Sequence, residues 1–250
     1  MQRDQRKMPG AHDVVLRKLN EHSFLSEEDI VGIRTLSAHS RTLDPDECIV
    51  NQGDRPQLCV VVLTGMLARY HTLANGERQY LSLHIAGDMP DAQALFLEVM
   101  DHSVCAVDEA DIALVPHKEV MALFVQRPGI GFAIWRDTLI DAAMFRAAIT
   151  NNGSRVPRAR MAHFFCEQYY RAQTAGIAKP GTCSLPLSQA QIGQTIGLSL
   201  VTVNRTLQDL RRTGCVDLRE GILQVRNWKR LAQLGQFDPS YLHLKNEPKL

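Results

Sequence analysis

The chain has 250 residues, 45% hydrophobic and 22% charged, with 28 Lys and Arg against 27 Asp and Glu. That balance excludes a disordered polyelectrolyte, and the length suits two domains with their own cores. No run approaches the roughly 18 consecutive apolar residues of a membrane span, and MQRDQRKMPGAHDVV lacks the apolar stretch of a secretory leader, so a cytoplasmic protein is expected.

The charge is unevenly spread. Residues 153–250 hold 14 basic and 6 acidic side chains, whereas residues 1–152 hold 14 and 21. A neutral chain with one basic end suggests a polyanion partner at that end. The six cysteines, at 48, 59, 105, 166, 183 and 215, include no Cys-x-x-Cys, and a disulfide framework is not expected. His71, His84 and His102 fall in one region, but the histidines show no metal-binding spacing, so no metal or other cofactor is expected.

Residues 1–12 are polar and expected to be mobile. Val14–Leu19 and Ser26–Leu36 predict short helices. Ser26 caps the second, and Glu27, Glu28 and Asp29 suit its positive end. From about 41 to 116 the period changes to that of strands. These are predicted at Glu47–Asn51, Leu58–Thr64, Met66–Thr72, Gln79–Ile85, Ser103–Val107 and Asp111–Val115. Gly53-Asp54, Gly65, Asn75-Gly76, Gly87-Asp88 and Glu109 separate them, and Asn75-Gly76 is a favoured hairpin turn. Short strands so regularly punctuated predict a β-sandwich or barrel.

A long helix follows at about 129–151. Phe132, Trp135, Leu139 and Ala142 share one face, Ala133, Ile140, Met144 and Ala147 another, and Ile134 and Phe145 a third. A helix apolar on several faces needs more than one partner. Asp137 and Asp141 lie between the stripes. Asn151-Asn152-Gly153-Ser154 is the expected hinge. Pro157 then suits the first turn of a helix running to about Ala175, and Gly176–Thr182 reads as a loop.

Ser188–Gly214, SQAQIGQTIGLSLVTVNRTLQDLRRTG, carries the most information. Ser188 with Gln191 can form a capping box, Ile192 and Ile196 share a face, and Gly197 ends the helix. Ser199 caps a second helix with Val203, Leu207 and Leu210 on its buried stripe. Two capped helices with so short a connection must cross steeply, which predicts a helix-turn-helix. Cys215–Leu218 and Ile222–Val225 flank Arg219-Glu220-Gly221 and predict a wing hairpin. Asn227 caps a short helix, Trp228–Leu234. The tail FDPSYLHLKNEPKL gives no reading.

Leu185–Leu218 resembles the DNA-binding domain of the Crp/Fnr family of bacterial transcription regulators, through Ile192-Gly193, Gly197-Leu198-Ser199, Thr202-Val203, Arg205 and Leu207. Asn51–Tyr70 and Ala86–Leu97 resemble parts of that family's cyclic-nucleotide-binding β-roll. The resemblance implies an α+β chain: a β-roll sensor at 13–120, a dimerisation helix and hinge at 121–152, and a winged helix-turn-helix at 153–235. It also implies a homodimer on near-palindromic double-stranded DNA, working with RNA polymerase, with Ile134, Ile140, Met144 and Ala147 at the dimer interface. No cysteine precedes Cys48, so the iron–sulfur cluster of some members is not expected.

In such a domain the start of the second helix reaches the bases. Arg205 is the expected base reader, since a guanidinium fork matches guanine O6 and N7; the alternative is a phosphate clamp. Ser199 and Thr202 are placed for phosphates or capping, and Asn204 for the groove. Leu200 and Val201 stand where better-known members carry polar readers, which predicts contacts to thymine methyls. Ser188 and Gln189, opening the first helix, complete the expected DNA-facing set. Arg211 and Arg212 are expected as phosphate contacts or helix-dipole partners. Cys183 is either an inert thiol or, if exposed, an oxidation-sensitive gate.

Members that bind cyclic nucleotides use a glutamate for the ribose and an arginine before Ser or Thr for the phosphate. Here Asp91, His102 and Ser103 line the corresponding pocket, with His102 at the arginine position and no matching glutamate. Cyclic AMP binding is therefore not expected, and the effector is unknown. The alternative is a cyclic-nucleotide or small-ligand module serving a partner protein. A metal-dependent or nucleophilic enzyme on a barrel finds no catalytic residue set.

Overall fold

The computed structural model describes residues 10–248. The mobile start expected at 1–12 falls mainly on residues outside that range, and Ala11 and His12 already belong to a helix. In chain order the elements are α1 (Ala11–Asn20), α2 (Glu27–Arg34), β1 (His39–Leu43), β2 (Cys48–Val50), β3 (Leu58–Val62), β4 (Leu67–Thr72) and β5 (Arg78–His84). A 3-10 turn (Ala92–Leu95), β6 (Ser103–Ala106), β7 (Ala110–Pro116), α3 (His117–Gln126) and α4 (Pro128–Ser154) follow. Then come α5 (Pro157–Thr174), β8 (Thr182–Ser184), α6 (Gln189–Ile196), α7 (Leu200–Arg212), β9 (Val216–Arg219), β10 (Ile222–Val225), α8 (Trp228–Gly235) and a 3-10 turn (Pro239–Leu242).

The chain forms two compact units: residues up to Arg69 with Leu83–Ile134, and Tyr70–Ser82 with Trp135 onward. In the first, the sheet β1-β7-β3 explains the uninterrupted apolar run at Leu58–Leu63. Val60 and Val62 point into one core with Leu67, Val104 and Ile112. Cys59, Val61 and Leu63 point into the other, with Val14, Leu19, Ile33, Leu123 and Ile130 from the helices. Successive strand residues face opposite sides, so a strand covered on both reads as continuously hydrophobic.

The sequence reading missed β1. His39–Leu43 has four exposed residues and no alternation; its pairing with β7, from His39 opposite Leu114 to Leu43 opposite Ala110, makes it a strand. The Asn75-Gly76 turn is longer than a two-residue hairpin, closed by Leu73 N–H to the Glu77 carbonyl at 2.8 Å. Cys48 and Cys105 sit opposite one another on β2 and β6 and are joined by a disulfide. Their separation of 57 residues hid a pair that only strand pairing brings together.

The expected hinge is helical, since α4 continues through Ser154. The asparagine side chains meant to loosen it are tied down instead. Asn151 Nδ2 donates to the Arg160 carbonyl and Asn152 Nδ2 to that of Thr195, both at 3.2 Å. The faces of α4 also sort differently from the expectation. Ile134 and Ile140, expected at a dimer interface, are buried within the chain, and Met144 and Ala147 are half-buried. The exposed apolar side chains are Phe132, Trp135, Leu139 and Ile149. Periodicity showed several stripes but could not say which the chain itself covers.

In the second unit ten of the 18 residues of α5 are buried, the helix packs on α8, and the tail that gave no reading completes this core. Phe237 meets Trp228 at 5.8 Å, Tyr170 at 5.6 Å and the His163 ring at 5.3 Å between centroids. Tyr241 donates to part-buried Glu167 at 2.6 Å. The core of this unit thus continues past residue 235, where the winged helix-turn-helix was expected to end. Gly235 brings α8 against the α5 backbone, where an added Cβ would strike His163 N and the Ala162 carbonyl carbon. Overpacking of this kind costs about 1–3 kcal/mol. Gly235→Ala is expected to lower the melting temperature by several degrees in a thermal scan, whereas Gly153→Ala, which meets open space, lowers it by none.

Candidate nucleic-acid interface

The helix-turn-helix is built as its residues demand. Ser188 and Gln191 form the capping box that opens α6, and Gly197 closes it in the left-handed region at φ 65°. Gly193 is needed for a different reason. The turn folds back so tightly that a side chain there would collide with the Leu198 carbonyl oxygen, while Leu198 N–H donates to the Gly193 carbonyl at 3.0 Å. Arg160, from α5, clamps this junction. Its Nη1 donates to the Ile196 and Gly197 carbonyls, both at 3.1 Å, and its Nη2 to Arg155 O at 3.0 Å. It thus satisfies carbonyls that a helix end leaves unpaired. No sequence signal marked it.

Ser199 caps α7, accepting from Thr202 N at 3.3 Å, with the two hydroxyls 2.9 Å apart. Val203, Leu207 and Leu210 are buried as expected. The opposite face is exposed: Leu200 at 56% and Val201 at 79%, with Asn204, Arg205 and Gln208. Among the described residues no acceptor engages the Arg205 guanidinium. Asn204 is held between Gln189 Oε1, to which it donates at 3.1 Å, and Gln208, from which it accepts at 2.9 Å. The structure therefore brings Ser199, Leu200, Val201, Thr202, Asn204 and Arg205 to one helix end and joins Gln189 to them. Ser188 lies apart, engaged in its cap. Gln208 was missed, although its spacing of four from Asn204 was readable.

The wing has three strands, β8-β10-β9. β8 pairs with β10 through Thr182–Ser184, and its start was taken for loop. Cys183 lies in it, buried, with burial pushing its thiol up to about 12. That is the environment of an inert thiol, not of an oxidation gate. Arg211 is not free for a phosphate: its Nε pairs with Asp217 at 2.5 Å and its Nη2 donates to the Leu218 carbonyl. Arg212 is exposed and pairs with Asp209 at 3.1 Å.

In the β-roll, Asp91, His102 and Ser103 all point inward. Asp91 accepts from Val60 N–H at 2.9 Å, and its second oxygen has no hydrogen-bond partner among the described residues. His102 pairs with Asp101 at 2.6 Å and meets the Gln93 amide at 3.2 Å. Ser103 accepts from Gln52 N–H at 3.0 Å. Near Asp91 and His102 lies buried Arg69, which no sequence signal singled out; its Nε donates to the Pro90 carbonyl at 2.6 Å. Burial pushes Asp91 up to about 7 against the opposing pull of the Val60 N–H and Arg69, and burial with Arg69 lowers His102.

Asp91 thus binds a proton more tightly folded than unfolded. The stability this contributes is complete below about pH 4 and is lost as pH rises through about 7. Between pH 6 and 8 the loss is about 1.4 kcal/mol. Asp91→Asn cannot ionise, so its melting temperature is expected to gain a few degrees on the parent's across that interval. A constant gap would contradict the assignment.

Comparison with known proteins agrees with this geometry. Residues 159–234 match the Crp-like helix-turn-helix domain, and residues 40–127 match the cyclic nucleotide-binding domain. The chain is 22% identical over 213 residues to the transcriptional activator protein FnrL of Cereibacter sphaeroides, covering 84% of this chain and 82% of that one. It is 19% identical over 217 residues to the fumarate and nitrate reduction regulatory protein of Escherichia coli K12, covering 87% and 84%. FixK2 from Bradyrhizobium japonicum has a similar fold, with a TM-score of 0.72 at 24% identity over 80% of this chain and 98% of that one. With a sensor-type β-roll, a long helix and a Crp-like helix-turn-helix in one chain, the protein belongs to the Crp/Fnr family of DNA-binding transcription regulators.

Proposed function

We propose that this regulator acts in the cytoplasm as a homodimer on a near-palindromic site, controlling transcription by RNA polymerase, and that its β-roll does not take cyclic AMP. The observation that carries the DNA-reading part is the uncovered end of α7, where Leu200, Val201, Asn204 and Arg205, unengaged among the described residues, lie opposite the buried stripe. Arg205 supplies a fork for guanine, while Leu200 and Val201 favour thymine methyls. Asn204, already oriented by Gln189 and Gln208, presents its remaining amide hydrogen to the groove.

The dimer reading rests on α4. Phe132, Trp135 and Leu139 are exposed at spacings of three and four, and Ile149 extends that seam. Such a repeat suits the same helix of a second copy, and two-fold symmetry then dictates paired half-sites. Against cyclic AMP stands the buried carboxyl of Asp91, which disfavours an anion, and His102, whose lowered basicity leaves it neutral.

Selection from random duplex DNA is expected to return a near-palindrome with thymines in each half-site. Arg205→Ala should weaken binding by about 1–3 kcal/mol and relax preference at one base pair per half-site. Asymmetric or sequence-blind enrichment, or an Arg205→Ala variant with unchanged preference, would contradict the reading.

A further inference from the structure

A buried acid sits within the basic face of the wing. Asp217, on β9, has a side chain only 9% exposed, and the side chains of three arginines approach it. Arg211 reaches Oδ1 from the last turn of α7, with its Nη2 donating to the Leu218 carbonyl. Arg219, two residues along the same strand face, places Nε 2.8 Å from Oδ2. Arg226, just past β10, lies 3.9 Å from Oδ2 and donates to Gln224 at 3.2 Å.

The arginines differ in what remains of their donors. Arg211 is half-buried and committed to the chain, tying α7 to β9. Arg219 is 75% exposed and ion-paired with Asp217 through Nε alone, and among the described residues no acceptor engages its Nη groups. A guanidinium drawn to a carboxylate by its Nε side leaves those two nitrogens as a fork, the arrangement that meets a phosphate through parallel hydrogen bonds. A side chain already held also loses less freedom on binding than one that swings.

We propose that Asp217 is a positioning residue for DNA binding: it holds the Arg219 guanidinium on the wing so that its Nη pair meets a backbone phosphate beside the groove read by α7. This rests on the DNA-binding reading above. Simple charge counting predicts the opposite sign, because a carboxylate in a basic face offsets the arginines and repels phosphate. Glu220, exposed at the wing tip, engages no cation among the described residues and does only that. Two acids three positions apart are therefore expected to act in opposite directions.

The test uses the full chain and a labelled duplex carrying its selected site, titrated from about 50 to 200 mM salt. Arg219→Gln is expected to weaken binding about tenfold and to flatten the plot of log affinity against log salt by about 0.9 per protomer. Asp217→Asn, despite removing a negative charge, should weaken and flatten it similarly, and the double variant should be no worse than the worse single. Glu220→Gln should tighten binding. Asp217→Asn also frees Arg211, so its fold is checked by circular dichroism. Arg219→Lys keeps both the charge and the Arg211 clamp but has no Nε to be held, and it too should lose affinity. The proposal is overturned if Asp217→Asn tightens binding, if its effect persists in full alongside Arg219→Gln, if Arg219→Gln binds with the parent's salt slope, or if Arg219→Lys binds with the parent's affinity. A parent chain that binds no duplex would overturn the DNA reading itself and this proposal with it.

Discussion

The close approach of Gly193 to the Leu198 carbonyl fixes the geometry on which reading DNA depends. It lets α6 turn into α7 through Gly197 in a left-handed conformation, leaving no room for a side chain between the two helices. Arg160 locks the same junction from outside by donating to two carbonyls at the end of α6. With the angle between the helices set, the buried stripe Val203, Leu207 and Leu210 fixes the rotation of α7. The face carrying Leu200, Val201, Asn204 and Arg205 is then directed outward. On the proposed reading these side chains reach base edges, which requires a rigid support, and here the support is mostly backbone.

The two units use buried polarity differently. In the DNA-binding unit, buried Asp217 is matched by Arg211 and Arg219, while part-buried Glu167 accepts from Tyr241 with Arg171 nearby and is still raised by burial. Burial raises Asp217, but its arginines outweigh that and hold the carboxyl below its ordinary value. In the β-roll, one Asp91 oxygen has no partner among the described residues, and burial pushes the acid up to about 7, so that it is part ionised near neutral pH. The first arrangement braces a surface that must stay fixed. The second gives the roll interior a group whose charge depends on its surroundings.

Much of the DNA-binding unit was legible because its determinants are local. Ser188, Gly197 and Ser199 mark the helix ends, and the apolar spacing marks the buried face. The strands at Leu58–Val62 and Ala110–Pro116 were visible through β-branched and apolar runs, whereas His39–Leu43 was not, because its strand character comes from a distant partner. Distance in sequence also hid the Cys48–Cys105 bond, the packing of Phe237 and Tyr241 on α5, and the arginines at 69 and 160. The asparagines and glycine at 151–153 misled for a related reason. They disfavour helix locally, and tertiary hydrogen bonds to Arg160 and Thr195 override that preference. On α4 the pattern showed apolar stripes, but only burial within the chain separated Ile134 and Ile140 from the exposed Phe132, Trp135 and Leu139.

The most direct measurement of the central claim is the ratio of affinities of Gly193→Ala for its selected site and for a scrambled duplex, taken where circular dichroism shows the variant folded. If the Gly193–Leu198 contact sets the angle of the reading helix, the ratio should fall at least about tenfold, while the weak, salt-dependent affinity for the scrambled duplex changes little. A folded variant that discriminates as well as the parent would show that this junction does not set the interface.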